Sequence, residues 1–208
     1  PGWAAACGWK SAHFGKYNFS GPRTVLEGEH GIFKAFADNT IQANFSFIYN
    51  QLGSKWYSID LALKPYACGT MTQPFIDCAI KAKKKINIEN VSEIICKVGE
   101  GTVHRLWEPL QEKQNPSTPY SAKFSVPYCV AIGLLYGKAG LEEFSTKHIK
   151  DEKILKLASK IRYEIDPNNE YPKNYTGHII IKTSNGDIIN TYQNGLRGGK
   201  NKPLSDNE

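Results

Sequence analysis

A β-hairpin signal near the carboxyl end limits the folds open to this chain more than any other feature. Residues 177–183 and 187–192 flank the turn Ser184-Asn185-Gly186, and a turn of this composition between two alternating segments predicts a hairpin. Residues 91–98 and 160–165 are also rich in β-branched side chains and predict two further strands. These four segments indicate a sheet with at least one buried face.

Helical patterns lie before and between these strands. In residues 72–86, the apolar side chains Phe75, Ala79, Ala82 and Ile86 share one face, and Pro74 occupies the first turn, where its missing N–H costs nothing. Further helices are predicted at 3–17, 31–37, 122–136, 141–144 and 151–160, another strand at 55–63, and connections at 39–51 and 99–120. This order predicts an α+β fold in which a small mixed sheet is covered by helices.

Composition excludes several classes of protein. The chain has 208 residues, of which 40% are hydrophobic and 22% charged, so a collagen-like or wholly disordered chain is excluded. No apolar run reaches the roughly 18–20 residues of a membrane helix. The net charge of +6 attracts anions, which include nucleic acid, an acidic membrane surface and small polycarboxylates. Charge alone does not choose among the three.

Cysteine and histidine usage indicates neither a disulfide framework nor a metal site. The five cysteines are odd in number and form no C-x-x-C pair, which favours a reducing, cytoplasmic compartment with thiols that act as small apolar residues. The five histidines show no metal-ligand spacing. Residues 195–200 resemble a phosphate-binding loop only superficially, because no Ser or Thr follows Lys200.

Two other patterns have simpler interpretations. The basic run at residues 81–85 is interpreted as a solvated helix end rather than a nucleic-acid contact, because the aromatic residues are not interleaved with its lysines. Ser125 and Cys129 lie in an apolar helical segment with no neighbouring base, and they are interpreted as packing residues. We therefore expect neither a nucleic-acid partner nor a membrane partner.

The segment from Leu63 to Pro74 is the strongest candidate for chemistry. Lys64 ends a predicted strand, a loop containing Gly69 follows, and Thr70 and Thr72 precede the start of a helix. Exposed N–H groups and the helix dipole favour an anion there, and the lysine can supply a full positive charge. The pattern predicts a carboxylate pocket. The alternative is an exposed lysine, a turn glycine and a threonine that only caps the helix.

An ordered set of motifs resembles the MmgE/PrpD family of 2-methylcitrate dehydratases and cis-aconitate decarboxylases. The Lys-Pro-Tyr-Ala-Cys segment at 64–68 and the Thr-Gln-Pro helix start at 72–74 are similar to the lysine loop of that family. Other similar stretches are Gly2-Trp3-Ala4-Ala5, Gly21-Pro22, residues 25–28, Gly31-Ile32-Phe33, residues 122–128, Arg197-Gly198 and Pro203-Leu204-Ser205-Asp206. The set spans nearly the whole chain and resembles the C-terminal portion of a member.

The resemblance implies an organisation and an activity. Residues 1–50 would end a large helical domain, 51–198 would form an α/β lid domain, and 199–208 would begin a truncated C-terminal segment. The implied enzyme is a lyase that dehydrates a polycarboxylate, or a related decarboxylase or epimerase, and it works as a homodimer without a metal or organic cofactor. Its principal catalytic groups belong to the helical domain, so the chain by itself is expected to be inactive and to need that domain as its partner.

The resemblance also implies roles for individual residues. Lys64 corresponds to the site lysine and would act as the catalytic residue of this segment by binding a substrate carboxylate, with Thr70, Thr72 and Gln73 as further substrate-binding residues. Gln73 replaces a family histidine, and Ala67 replaces a proline, which implies a different polar contact with substrate. Lys123 is a further pocket candidate, with a plain surface lysine as the alternative. Two other hypotheses are a non-catalytic α/β module that binds a diacid or another subunit, and a basic nucleic-acid binder.

Overall fold

The computed structural model describes residues 2–37, 44 and 46–206, and the chain divides into two compact units, residues 1–56 and 57–208. In the amino-terminal unit, helices α1, α2 and α3 span Gly2–Lys16, Ile32–Phe36 and Ser46–Tyr49. The helices predicted at 3–17 and 31–37 are confirmed. The connection predicted at 39–51 lies partly outside the described residues, and residues 46–49 of it are helical.

The carboxyl-terminal unit is built on a four-stranded mixed sheet with the strand order β2-β1-β3-β4. Strands β1, β2, β3 and β4 span Val91–Val98, Ile161–Ile165, Gly177–Thr183 and Ile188–Gln193. Strand β1 is parallel to β2 and antiparallel to β3, and β3 and β4 form the predicted hairpin. The turn places Gly186 at φ +90°, a backbone conformation that favours glycine. The strands predicted at 91–98, 160–165, 177–183 and 187–192 and the predicted α+β class are therefore confirmed.

Helices cover one face of this sheet. Helices α4 to α9 span Gln73–Lys83, Val103–Leu106, Leu110–Gln114, Pro119–Ala122, Val126–Tyr136 and Glu152–Ala158. Turns of 3₁₀ helix lie at Tyr57–Asp60, Thr70–Thr72, Ile88–Asn90, Glu100–Thr102, Glu142–Phe144 and His148–Lys150. Helix α4 contacts α8, β3 and β4, and α8 contacts α9. A Cβ atom on Gly133 would lie 2.9 Å from that of Ala79, so this glycine allows α4 and α8 to approach closely.

The two faces of the sheet differ in chemistry. The face under the helices carries Ile94, Cys96, Ile179 and Ile181, all fully buried. The opposite face carries five ion-paired residues. Arg162 contacts Glu93 at 2.5 Å and Glu164 at 2.7 Å, Lys182 contacts Glu93 at 2.9 Å, and Lys97 contacts Glu164 at 2.6 Å. The apolar alternation of the strands therefore buries one face, while charged pairs cover the other.

Two predictions about local structure are wrong. Residues 55–63 form a 3₁₀ turn at Tyr57–Asp60 and then irregular backbone instead of a strand, and Ile59 and Leu61 are 65% and 72% exposed. Strand propensity depends on a neighbouring strand, which this segment does not have among the described residues. Residues 99–120 are not a loop, because they contain α5, α6 and the start of α7 and bury Trp107 completely. Helices of four or five residues are too short to show a period.

Candidate functional site

The loop of residues 64–69, which we call the lysine loop, is anchored to two distant segments. The Ala67 N–H donates to the carbonyl of Ala139 at 3.1 Å, and the Gly69 N–H donates to the carbonyl of Lys123 at 2.8 Å. Tyr66 and Cys68 are buried. Lys64 is exposed, with Nζ 3.4 Å from the Cys68 carbonyl oxygen. The backbone is thus fixed while the lysine ammonium reaches solvent.

The lysine loop leads directly into the start of α4. Thr72 is fully buried, and its hydroxyl lies 2.7 Å from the Gly69 carbonyl oxygen and 3.0 Å from the Cys68 sulfur. The Thr72 side chain therefore stabilises the lysine loop through hydrogen bonds. It makes no capping hydrogen bond to helix α4, whose first residue is Gln73. Thr70 is half-buried in the same turn. Pro74 lies in the first helical turn, as predicted.

Gln73 holds an unused hydrogen-bond donor at the start of α4. The residue is 2% exposed, and its Nε2 atom has no partner within the described part of the chain. A buried donor without an acceptor costs about 1–3 kcal/mol. The dipole of this eleven-residue helix also favours negative charge at that end. An acceptor oxygen of a bound carboxylate would satisfy both the donor and the dipole.

The positive charges of two lysines lower the pKa of the same thiol beside the start of α4. A hydrogen bond with the Cys129 thiol lowers the pKa of the Cys68 thiol, and the Thr72 hydroxyl and the positive charges of Lys64 and Lys123 lower it further, against the effect of burial. Burial raises the pKa of the Cys129 thiol. The Lys123 carbonyl oxygen also accepts a hydrogen bond from the Gly69 N–H. The structure therefore brings Lys64 and Lys123 to the same loop, although they are distant in the sequence.

The segment around Lys123 is held by local capping. Ser125 precedes α8, and its hydroxyl oxygen accepts the Tyr128 N–H at 3.1 Å. The Tyr128 hydroxyl donates to the Glu143 carbonyl at 2.7 Å. Ser125 and Cys129 are fully buried, in agreement with their interpretation as packing residues. The serine fixes the start of α8 at Val126, four residues later than the predicted start.

Sequence reasoning missed a buried polar cluster behind the lysine loop. The Tyr66 hydroxyl donates to Asp77 Oδ1 at 2.7 Å, and Arg197 Nε donates to the same oxygen at 2.9 Å. Arg197 Nη2 also lies 3.2 Å from the Tyr66 hydroxyl. Burial raises the pKa of Tyr66, so its hydroxyl stays a donor. The available signal was an aspartate on a buried helix face, a site that requires a partner.

The cluster borders a cleft of about 660 Å³, but the charges there are largely paired with one another. Lys138 contacts Glu143 at 2.9 Å, and Lys81 donates to the Gln193 side chain at 2.5 Å. Arg197 is already engaged with Asp77. The charges at this cleft are therefore mostly paired, whereas Lys64 in the lysine loop is exposed and the Gln73 amide nitrogen has no hydrogen-bond partner among the described residues.

The described residues carry neither a cluster suited to a metal ion nor a helix suited to a membrane crossing. They contain no group of three or more His, Cys, Asp or Glu side chains placed to hold a metal ion. Among their helices, none combines the length and the apolar character that a membrane crossing requires.

The fold is an α+β domain in which the lysine loop leads into the start of helix α4. Residues 66–208 match the family model described as the MmgE/PrpD C-terminal domain. That match covers more than half of the chain, which therefore belongs to the MmgE/PrpD family and carries its C-terminal portion, as the motif resemblance implied. Family members are generally lyases or dehydratases. No curated protein is significantly similar to the chain. Lys64 lies two residues ahead of the matched range, so the family match does not include it.

Proposed function

We propose that this chain supplies the carboxylate-binding loop of a dehydratase-like lyase that acts on a polycarboxylate. One observation carries the proposal. The Gln73 amide donor at the start of α4 has no partner among the described residues, and it follows the loop that presents the Lys64 ammonium. A cation and an amide donor at a helix start hold a carboxylate by charge, hydrogen bond and dipole together. Membership of the family supports the lyase class.

The proposed chemistry removes water from a hydroxy polycarboxylate. A base takes the proton from the carbon next to a carboxylate, that C–H electron pair forms the C=C bond, and the C–O bond breaks as water leaves with an added proton. Negative charge develops on the carboxylate beside the deprotonated carbon. Lys64 would stabilise this charge more strongly in the transition state than in the bound substrate, and this difference accelerates the reaction.

The remaining candidate residues have graded roles in this proposal. Lys123 supplies a second positive charge near the loop, and the half-buried Thr70 hydroxyl can reach the ligand. Thr72 holds the loop, because its hydroxyl is already used by Gly69 and Cys68. Gln73 stays neutral at every working pH, so its contact would not vary with pH as a histidine contact does. The base and the acid would come from a helical domain, in a homodimer without added cofactor.

The test measures water elimination from 2-methylcitrate by the protein in which this chain acts together with the helical domain. Lys64→Ala should lower kcat/KM by roughly 10- to 100-fold, since a charged hydrogen bond contributes about 1.5–3 kcal/mol. Lys64→Arg should retain part of the activity. Lys147→Ala removes an exposed lysine elsewhere in the unit and should change nothing. Unchanged turnover in Lys64→Ala, with an intact circular dichroism spectrum, would refute the role of this lysine.

A second candidate is a non-catalytic module that binds a diacid, which the glutamine in place of the family histidine favours. It predicts that calorimetry detects 2-methylcitrate binding by the unaltered protein without turnover, and that Lys64→Ala abolishes this binding. Gln73→His separates the two candidates further. Gain of turnover in that variant would show that the glutamine had removed the catalytic contact.

A further inference from the structure

A basic groove lies at the opposite end of α4 from the lysine loop. Its volume is about 1000 Å³, and it runs between the end of α4, the segment at residues 86–89, Leu135 of α8 and the helix α9. Helix α4 has eleven residues and is therefore roughly 16 Å long. The groove is thus separate from the proposed substrate site.

The groove carries an excess of positive charge. Four lysines and one glutamate line it, which leaves three net positive charges out of the +6 of the whole chain. Lys83 and Lys160 are engaged with backbone, because Lys83 Nζ donates to the Leu134 carbonyl at 3.1 Å and Lys160 Nζ donates to the Val91 carbonyl. These two bonds fix the walls of the groove.

The other two lysines are available to a partner. Lys153 and Lys156 are exposed and make no ion pair and no side-chain hydrogen bond within the described part of the chain. Burial raises the pKa of the neighbouring Asp151 carboxyl, but hydrogen bonds from the Lys153 N–H and the Tyr136 hydroxyl, with a smaller effect of the Lys153 charge, lower it overall. The Lys153 and Asp151 side chains form no ion pair within the described residues. Three residues apart on α9, the two lysines project from neighbouring positions on one helix face.

The floor of the groove is apolar. Ile86, Ile88 and Leu135 are half-buried there, and Leu157 is buried beneath them. Among the described residues, no aromatic or arginine side chain lines the groove. A nucleic-acid surface would normally use such side chains to stack bases or to grip phosphates. Branched aliphatic side chains below a lysine rim instead fit the apolar face of an acidic amphipathic segment.

We infer that the basic groove docks an acidic amphipathic peptide segment of a partner protein, in which leucine-like side chains meet the floor and carboxylates meet Lys153 and Lys156. Charge complementarity favours this occupant, since the lysine rim attracts carboxylates. The aliphatic floor favours apolar side chains, which lose contact with water when they bind there. The inference stands independently of the lyase activity, because it involves none of the lysine-loop residues.

The experiment titrates the full 208-residue chain into a fluorescein-labelled synthetic peptide that carries leucines on one helical face and glutamates on the other. Fluorescence anisotropy should show saturable binding that weakens with salt. The double variant Lys153→Glu/Lys156→Glu should weaken binding by about ten-fold or more. Lys173→Glu/Lys200→Glu changes the net charge equally at exposed positions outside the groove, and it should leave binding unchanged.

The apolar floor needs its own test, because any basic protein attracts acidic peptides. Ile88→Ser should weaken binding of the leucine–glutamate peptide and leave unaltered the weaker binding of a peptide with serine in place of leucine. The inference is overturned if both lysine pairs have equal effects, if the serine peptide binds as tightly, or if single-stranded RNA outcompetes the peptide. Circular dichroism of each variant confirms that the fold is retained before titration.

Discussion

Both units of the chain contain large aromatic side chains, but these are exposed in the amino-terminal unit and buried in the carboxyl-terminal unit. In the amino-terminal unit, no residue of α1 or α2 is buried, and Trp3 and Phe36 are 77% and 86% exposed. In the carboxyl-terminal unit, Trp107 and Tyr128 are fully buried in one continuous core. An aromatic side chain contributes to a core only where a second layer of secondary structure covers it. The sheet and helices supply that layer in residues 57–206, which also contain nearly all of the family match.

The largest expected effect tests this contrast directly. Trp107 packs against Phe75 and Tyr163, with ring centroids 6.3 and 5.2 Å away. Trp107→Ala should lower the free energy of unfolding by about 3–5 kcal/mol through the cavity it leaves. Trp9→Ala, at a side chain that is 69% exposed, should change it by less than about 0.5 kcal/mol. Urea unfolding followed by circular dichroism measures both variants.

A milder substitution separates packing from polarity at the same position. The indole nitrogen of Trp107 is buried without a partner among the described residues, so Trp107→Phe removes an unsatisfied donor as well as volume. Its cost should therefore be well below that of the alanine variant. An equal loss of stability from Trp9→Ala and Trp107→Ala would break the comparison, because it would mean that α1 is covered in solution.

A second prediction concerns the Tyr66–Asp77–Arg197 cluster, which ties three segments of the carboxyl-terminal unit together. Asp77→Ala should lower the free energy of unfolding by about 2–3 kcal/mol. This is less than the loss expected when a fully buried ion pair is broken, because the Arg197 side chain is 26% exposed and can be hydrated. The lysine loop should also loosen, which faster reaction of Cys68 with a thiol reagent would reveal. Glu142→Ala removes one partner of an exposed pair, Lys138–Glu142, and should cost almost nothing.

If Asp77→Ala were no more costly than Glu142→Ala, the cluster would not hold the unit together. If stability fell while the reactivity of Cys68 stayed constant, the cluster would stabilise the unit without controlling the lysine loop. Each outcome is read from the same two measurements, urea unfolding and thiol labelling, on the two matched variants.

The sequence predicted those parts of the molecule in which local pattern and tertiary packing agree. The four strands alternate and are paired in the sheet, and the Asn185-Gly186 turn specifies the hairpin. Residues 55–63 show the same alternation without a neighbouring strand among the described residues, and the pattern misled for that reason. The candidate site shows the same limit. Lys64 and Gln73 are close in sequence, whereas the Arg197–Asp77 bond spans 120 residues and has no local signature.

The smallest expected effect concerns the charged face of the sheet. It compares an ion-paired carboxylate of the carboxyl-terminal unit with an exposed carboxylate of the amino-terminal unit. Hydrogen bonds from Arg162 and Lys182 lower the pKa of Glu93 from 4.5 to about 2. Because the folded pKa is the lower one, the ionised carboxylate stabilises the fold fully above pH 4.5, and this contribution is lost as the pH falls from 4.5 towards 2. Glu93→Gln should therefore flatten the loss of stability across that interval, measured as urea midpoints.

The effect should be modest because both partners of Glu93 are partly exposed, and added salt should reduce it. Glu27, exposed in the amino-terminal unit, makes no ion pair within the described residues, so Glu27→Gln should leave the acid limb of the stability curve unchanged. If Glu27→Gln also reduced the loss of stability at acid pH, the acid sensitivity of the fold would reflect the overall charge of the chain. A change confined to Glu93→Gln would locate it on the paired face of the sheet, where geometry rather than composition sets the ionisation of a carboxylate.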